Sequence, residues 1–240
     1  MSTIEGARAR ARREITAAIK DEARRGLAAE GASRLSLRAV ARELGMASSA
    51  LYRYFPSRDD LLTALIVDAY DALGEAAEET LAATPRDDPA TRWVAVCGAV
   101  RAWALAHPHE FALVHGTPVP GYAAPQATTG PGVRVPLALL ALTAEAQEDA
   151  LLAPPTWDPL PPPVRAEAEA LADEYAPGLP APVVAALVAA WAQLVGLISF
   201  EVFGQYTGVV TARDEFFAHA VSRIAADIGL PTTRGGTPEE

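Results

Sequence analysis

A chain of 240 residues, half of them apolar, is long enough for one large domain or two small ones and can bury a sizeable core, which excludes disorder as the default. Its single cysteine, Cys97, excludes an internal disulfide framework and a cysteine-rich zinc site, and fits a reducing compartment, most simply the cytoplasm. The formal net charge of −10 is uneven: residues 1–60 hold 12 Lys and Arg against 8 Asp and Glu, whereas residues 61–240 hold 8 against 22. A basic head can track phosphates while an acidic body is repelled from them; the competing reading is a chance clustering of solvated arginines.

The segment Met1 to Arg13 is rich in arginine and has neither an apolar h-region nor a cleavage site, so no secretion signal is expected there. Helical periodicity then dominates, with no alternating strand pattern. Ile15, Ile19, Ala23 and Leu27 recur every four residues and predict a core-facing helix over roughly 8–30, weakened or ended by Gly26 and Gly31. Ser36 can cap a two-turn helix whose apolar face is Leu37, Val40 and Leu44, and Gly45 permits a left-handed exit. Ser48 offers a new cap for a helix to Phe55, stopped by Pro56. Two short helices joined by Gly45-Met46-Ala47 have the form of a helix-turn-helix.

From the cap Ser57 a long helix through Leu61, Leu65, Ala69 and Leu73 reaches about Ala83, linking head and body. A further helix carries Trp93, Val96, Val100 and Trp103, and a short one runs from Pro108 to His115. The prolines and glycines of 117–136 predict a loop; helix resumes over about 137–152, a proline-rich connector covers 154–163, and a short helix can extend to Tyr175. Val183, Leu187, Leu194 and Ile198 mark a broad stripe on a helix near 183–206, and Phe217, Val221, Ile224 and Ile228 mark another near 212–229. The first is the most apolar run, but Gln193, Glu201 and its stripe favour a packed core or interface helix over a membrane span. The tail 231–240 is polar and expected to be disordered.

The run from Leu35 to Leu62, with Leu51-Tyr52-Arg53-Tyr54-Phe55 followed by Pro56-Ser57-Arg58-Asp59-Asp60-Leu61-Leu62, resembles the DNA-binding motif of the TetR family of regulators over about residues 8–70. The resemblance implies an all-α fold: a three-helix helix-turn-helix head over 1–57 and a helical effector-binding and dimerisation domain over 58–230. It implies a repressor that binds a palindromic double-stranded operator and is released by a small apolar or amphipathic effector. It also implies that Ser36 and the first turn after it, with Leu37 and Arg38, touch the DNA backbone and that Arg58 holds a phosphate. Physically, a helix starting at Ser48 fits the major groove, where Ser48 and Ser49 reach phosphates or bases, Ala50 allows close approach, and Arg53 reads guanine or pairs with a phosphate. Tyr52 and Tyr54 carry hydroxyls that reach phosphates, whereas Phe55 reads as core.

In the body, Ala106 to Gly116 and Trp191 to Glu201 resemble the C-terminal domain of a TetR subgroup with a Trp-His-Gly pattern, with Val195 where that pattern has its histidine. An effector pocket between helices would be apolar with a few polar groups, and Trp103, Phe111, His115, Tyr122, Phe200 and Phe203 are candidates to line it; each also reads as ordinary core. The helices near 183–206 and 212–229 are candidates for a homodimer interface. Two of the three nearby histidines, His107 and His109, flank a proline and lack carboxylate or cysteine partners at ligand spacing, so no metal or other cofactor is expected. No phosphate-cradling loop, zinc-protease helix or nucleophile elbow occurs, so an enzyme is not expected. Two rival readings remain: a helical enzyme or carrier with an incidental head, and a non-specific nucleoid protein.

Overall fold

A computed structural model describes residues 2–154 and 159–230, with side chains from Gly6 onward. The tail expected to be disordered, and part of the 154–163 connector, lie outside the described residues. Those residues form helices and no strands: α1 (Ser2–Glu30), α2 (Leu37–Glu43), α3 (Ser48–Leu51), α4 (Arg58–Ala83), α5 (Pro89–Ala106), α6 (Pro108–His115), α7 (Thr129–Gly132), α8 (Arg134–Glu148), α9 (Pro162–Tyr175), α10 (Ala181–Val202) and α11 (Arg213–Ile228). They divide into two compact units. The first comprises residues 1–70 with 107–131, the second 71–106 with 132–240.

In the first unit, α1 runs through Gly26 and ends at Gly31, whose φ of 80° only glycine adopts without strain. The expected cap of α2 is present: the Ser36 hydroxyl accepts from the Ala39 N–H at 3.5 Å. Gly45 leaves α2 at φ 64°, and Met46 N–H donates back to Ala41 O at 2.8 Å. The next helix differs from expectation. Ala47 is extended, so Ser48 is the first helical residue and caps nothing; regular helix covers one turn, and the chain continues to Phe55 in tighter i→i+3 bonds such as Tyr54 N–H to Leu51 O at 2.8 Å. Ser57 caps α4, its Oγ accepting from the Asp60 N–H at 3.1 Å and donating to the Asp60 carboxylate at 2.7 Å. The core of this unit gathers Ile19, Ala23, Leu27, Leu37, Leu51, Phe55, Leu61 and Leu65, and Leu113, Val114 and Val119 pack against it from α6 and the segment that follows.

The second unit is built on α5, α8, α10 and α11, with Trp93, Val96, Leu142, Leu194, Ile198 and Val221 fully buried. Its buried charges are paired. Arg92 donates to Glu145 at 2.6 Å and to Leu81 O at 3.1 Å, and Arg101 makes two 2.7 Å bonds to Glu201 and a third to Asp214. Here too the sequence expectation needed shifting. The 117–136 segment contains a 3₁₀ turn (Gln126–Thr128) and α7, and α8 starts at Arg134 because Pro136 sits in a first turn, where no N–H is needed. At its far end α8 stops at Glu148, short of the expected Leu152, where Ala150 takes a φ of 57° and Leu151 N–H closes onto Ala146 O at 2.8 Å.

α10 is long and apolar enough to cross a membrane by length and composition alone. Its two faces differ, however. Val184, Leu187, Leu194 and Ile198 are buried in the unit, whereas Val188, Phe200 and, just past its end, Phe203 are exposed, as is Phe216 on α11.

Candidate nucleic-acid interface

The first unit presents a row of polar and small side chains around α3. Ser36, Arg38, Ser48, Ser49, Tyr52 and Arg53 are exposed, and Ala50 is half-buried. Exposed hydroxyls, a guanidinium and a small residue at the start of a short helix are what a groove of phosphates and base edges accepts. Leu37, by contrast, is buried in the core, so only its main chain is available to a phosphate. Phe55 is buried as expected.

Tyr54 divides its roles. Its ring packs against the core, and the Arg12 guanidinium lies 5.0 Å from the ring centroid while Arg12 Nη2 donates to Arg53 O at 3.3 Å. Arg12 falls outside the helix-turn-helix pattern, and nothing in the motif pointed to it; its only signal was an uninterrupted helical register reaching back from Ile15.

Arg58, which the resemblance assigns to a phosphate, is half-buried and bonded within the head. Its Nη2 donates to Ala32 O at 2.8 Å and its Nε to Leu35 O at 3.1 Å, so the guanidinium fastens the turn between α1 and α2. Nη2 also reaches Ser33 O at 3.4 Å, and Nη1 pairs with Asp59 at 3.4 Å. Arg42, exposed, pairs with Glu43.

The six candidate effector-contacting residues fall in both units. In the first, Phe111 and His115 stack at a tilted 5.1 Å, Tyr70 meets His115 edge-on at 6.0 Å, and Tyr122 shares a 2.9 Å hydrogen bond with Thr63. Burial pushes the His115 pKa down to about 4, so the ring is neutral at ordinary pH, and burial likewise raises that of Tyr70. Tyr70 and Thr63 were missed from the sequence because they flank the apolar stripe of α4 and look like solvent-facing polar positions. In the second unit Trp103 is half-buried, while Phe200 and Phe203 belong to the exposed face of α10. Phe200 borders an open groove of about 410 Å³ between α10 and α11, shared with Gln193, Leu197, Tyr206 and Arg223. Among the described residues no cluster of three or more His, Cys, Asp or Glu has the arrangement of a metal site.

A helix-turn-helix whose outward surface is polar and whose inward surface is core, continuous through α4 with a helical body, defines a one-component DNA-binding regulator. Residues 19–65 match the family model described as bacterial regulatory proteins of the tetR family, and residues 93–224 match that of the tetracyclin repressor-like C-terminal domain. The chain belongs to the TetR family of helix-turn-helix transcription regulators. It is 44% identical over 206 residues to the HTH-type transcriptional regulator Rv1816 of Mycobacterium tuberculosis, covering 84% of this chain and 86% of that one. Among solved structures it is similar to the regulatory protein SCO4313, with TM-score 0.74 and 31% identity over 90% of this chain and 98% of the other. The fold also matches RolR, solved in complex with resorcinol, at TM-score 0.53 and 18% identity over 96% and 98% of the two chains.

Proposed function

We propose that the protein is a cytoplasmic homodimeric repressor, without catalytic activity of its own, whose two heads occupy a palindromic operator and leave it when a small apolar or amphipathic effector binds. The observation that carries this reading is the exposed polar row on α3 and the turn that follows it, in which Ser48, Ser49, Tyr52 and Arg53 are free of core duties. These side chains face the major groove, with Ala50 against the bases; Ser36, Arg38, Tyr54 and the first turn of α2 meet phosphates. One short helix reads too few base pairs alone, so two heads about one helical turn apart are required.

The exposed apolar face of α10 and α11 supplies the means of pairing. Val188, Phe200, Phe203 and Phe216 stand in solvent in the single chain, and covering such a face with its own copy gives the isologous contact of a two-fold dimer. The effector acts by linkage: it binds more tightly to a conformation whose heads are wrongly spaced, and operator affinity falls by that difference. Resorcinol, with which the fold neighbour RolR is solved, is a small phenol of the proposed effector class.

The test is a titration of the protein onto DNA from its own upstream region and onto a scrambled duplex, with Tyr52→Ala and Arg53→Ala alongside. Preference for the upstream DNA that both substitutions abolish supports the reading. Wild-type binding equal on both duplexes, repeated in a selection from genomic fragments, overturns it. A Phe200→Asp variant that stays dimeric by light scattering overturns the assigned pairing face.

A further inference from the structure

α1 is longer than its core requires. Its first side chain in the core cluster's surroundings is Ile15 and its first fully buried one is Ile19, while residues 6–14 are all exposed. At 1.5 Å per residue, residues 6–14 extend about 14 Å without a buried side chain. What they carry is charge. Residues 1–13 hold Arg8, Arg10, Arg12 and Arg13 against Glu5, a net of +3 within a head whose first 60 residues net +4.

This extension is not left unattached. Arg12 fixes it to the last turns of the recognition segment, through the bond to Arg53 O and the contact over the Tyr54 ring. Arg8 lies one helical turn before Arg12 on the same face. Arg13 opens on a groove along α1 that Arg12 also lines and in which Lys20 and Arg24 are ion-paired, both to Asp68 at 2.7 and 2.6 Å and Arg24 also to Asp21 and Glu110. Among the described residues Arg8, Arg10 and Arg13 have no ion pair.

We infer that the N-terminal turns of α1 form a second DNA contact, in which Arg8, Arg10 and Arg13 bind backbone phosphates flanking the base pairs that α3 reads. This rests on the DNA-binding reading of α3 and extends the footprint beyond it. Arg10 and Arg13, three residues apart, project from one side of a helix tied beside the recognition segment and Arg8 from the other, so guanidinium groups unpaired among the described residues are available to phosphates on either flank, and phosphate contacts of this kind position a protein without reading sequence. Arg12 is the tether; the other three are the contacts.

The test compares wild type with the triple variant Arg8→Gln, Arg10→Gln, Arg13→Gln, all on exposed positions and chosen to keep helix propensity. Both are titrated onto two operator duplexes, one carrying a full helical turn of flank on each side and one trimmed flush, across a salt series. Each lost phosphate contact flattens the slope of log K against log salt by about 0.9, so three contacts on each of two heads flatten it by about 5. The inference expects that flattening on the flanked duplex, a wild-type affinity loss of tenfold or more on trimming, and indifference of the variant to trimming. A variant with the wild-type slope, or one that loses as much on trimming as wild type, overturns it while leaving sequence preference intact. Absence of any preference for operator over scrambled DNA in wild type overturns the DNA-binding reading itself. Loss of binding to phosphatidylglycerol vesicles with DNA binding unchanged would assign the arginines to a lipid surface and likewise refute the inference.

Discussion

Arg101 is where the second unit has most to lose. Its guanidinium holds both oxygens of Glu201 at 2.7 Å from α5 to α10, and also bonds Asp214 at the start of α11. The Glu201 side chain is only 6% exposed, whereas that of Asp214 is 86% exposed. The exposed pair contributes little. Arg101→Met therefore acts chiefly by stranding the Glu201 carboxylate, and breaking a buried pair by removing one partner costs about 3–5 kcal/mol. A smaller loss comes from the guanidinium contact with the Phe217 ring at 5.0 Å. At about 2–4 °C per kcal/mol for a chain of this size, the midpoint of melting falls by roughly 6–20 °C. Adding Glu201→Leu removes the stranded charge and recovers most of the loss. The assay is urea unfolding followed by circular dichroism at one fixed protomer concentration, since the stability of any oligomer depends on concentration. A single variant that loses less than about 1 kcal/mol, or a double variant no better than the single, refutes the assignment of the cost to a buried, unpaired Glu201.

His115 predicts a pH dependence with a definite sign. Its pKa is held at about 4 against an ordinary 6.5, so the unfolded chain binds the proton first and folding stability falls as pH drops from 6.5 towards 4, levelling off below. The total is about 3 kcal/mol, and His115→Phe removes that part of the pH profile; an unchanged profile in chemical denaturation contradicts the burial of a neutral ring. Gly45→Ala places a Cβ at φ 64° and costs about 1–2 kcal/mol in thermal melts, although the space around it is open. Arg58→Met loses the bonds to Ala32 and Leu35 carbonyls and lowers stability by about 1–3 kcal/mol, while the salt slope of DNA binding stays that of wild type; a flattened slope assigns Arg58 to phosphate instead.

The sequence was most legible where local chemistry decides conformation. Ser36, Gly45 and Ser57 each do at a helix end what their residue type dictates, and the four-residue spacing from Ile15 to Leu27 lies on the buried side of α1. It was least legible where a side chain serves two masters. Arg58 sits at a position whose type suits either a phosphate or a carbonyl cluster, and the carbonyls it meets at Ala32 and Leu35 come together only in the folded turn. Ser48 has the residue type of a cap, but the extended Ala47 ahead of it moves the helix start by one residue. The proline-rich stretches misled for a related reason. Proline forbids helix interiors but suits first turns, so Pro136 reads as a breaker until the start of α8 is known. Among the effector candidates, aromatic identity alone could not separate the buried Phe111 from the exposed Phe200, because the difference is set by which helix face finds a partner within the chain.

The placement of α6 bears on how a signal would reach DNA. Leu113 and Val114 of α6, with Val119 and Tyr122 beyond it, pack on the same cluster that holds Leu51 and Phe55 under the recognition segment. Tyr70 donates to Val114 O at 3.3 Å, and Thr63 shares its hydrogen bond with Tyr122, so α4 is gripped along one side by this segment. Close-packed interiors transmit displacement because they have few voids to absorb it. A ligand that shifts α6 therefore changes the packing beneath α3 directly, with no need for a long relay. For a hundredfold loss of operator affinity, the effector must prefer the shifted arrangement by about 2.7 kcal/mol, which is within the usual range of coupling energies.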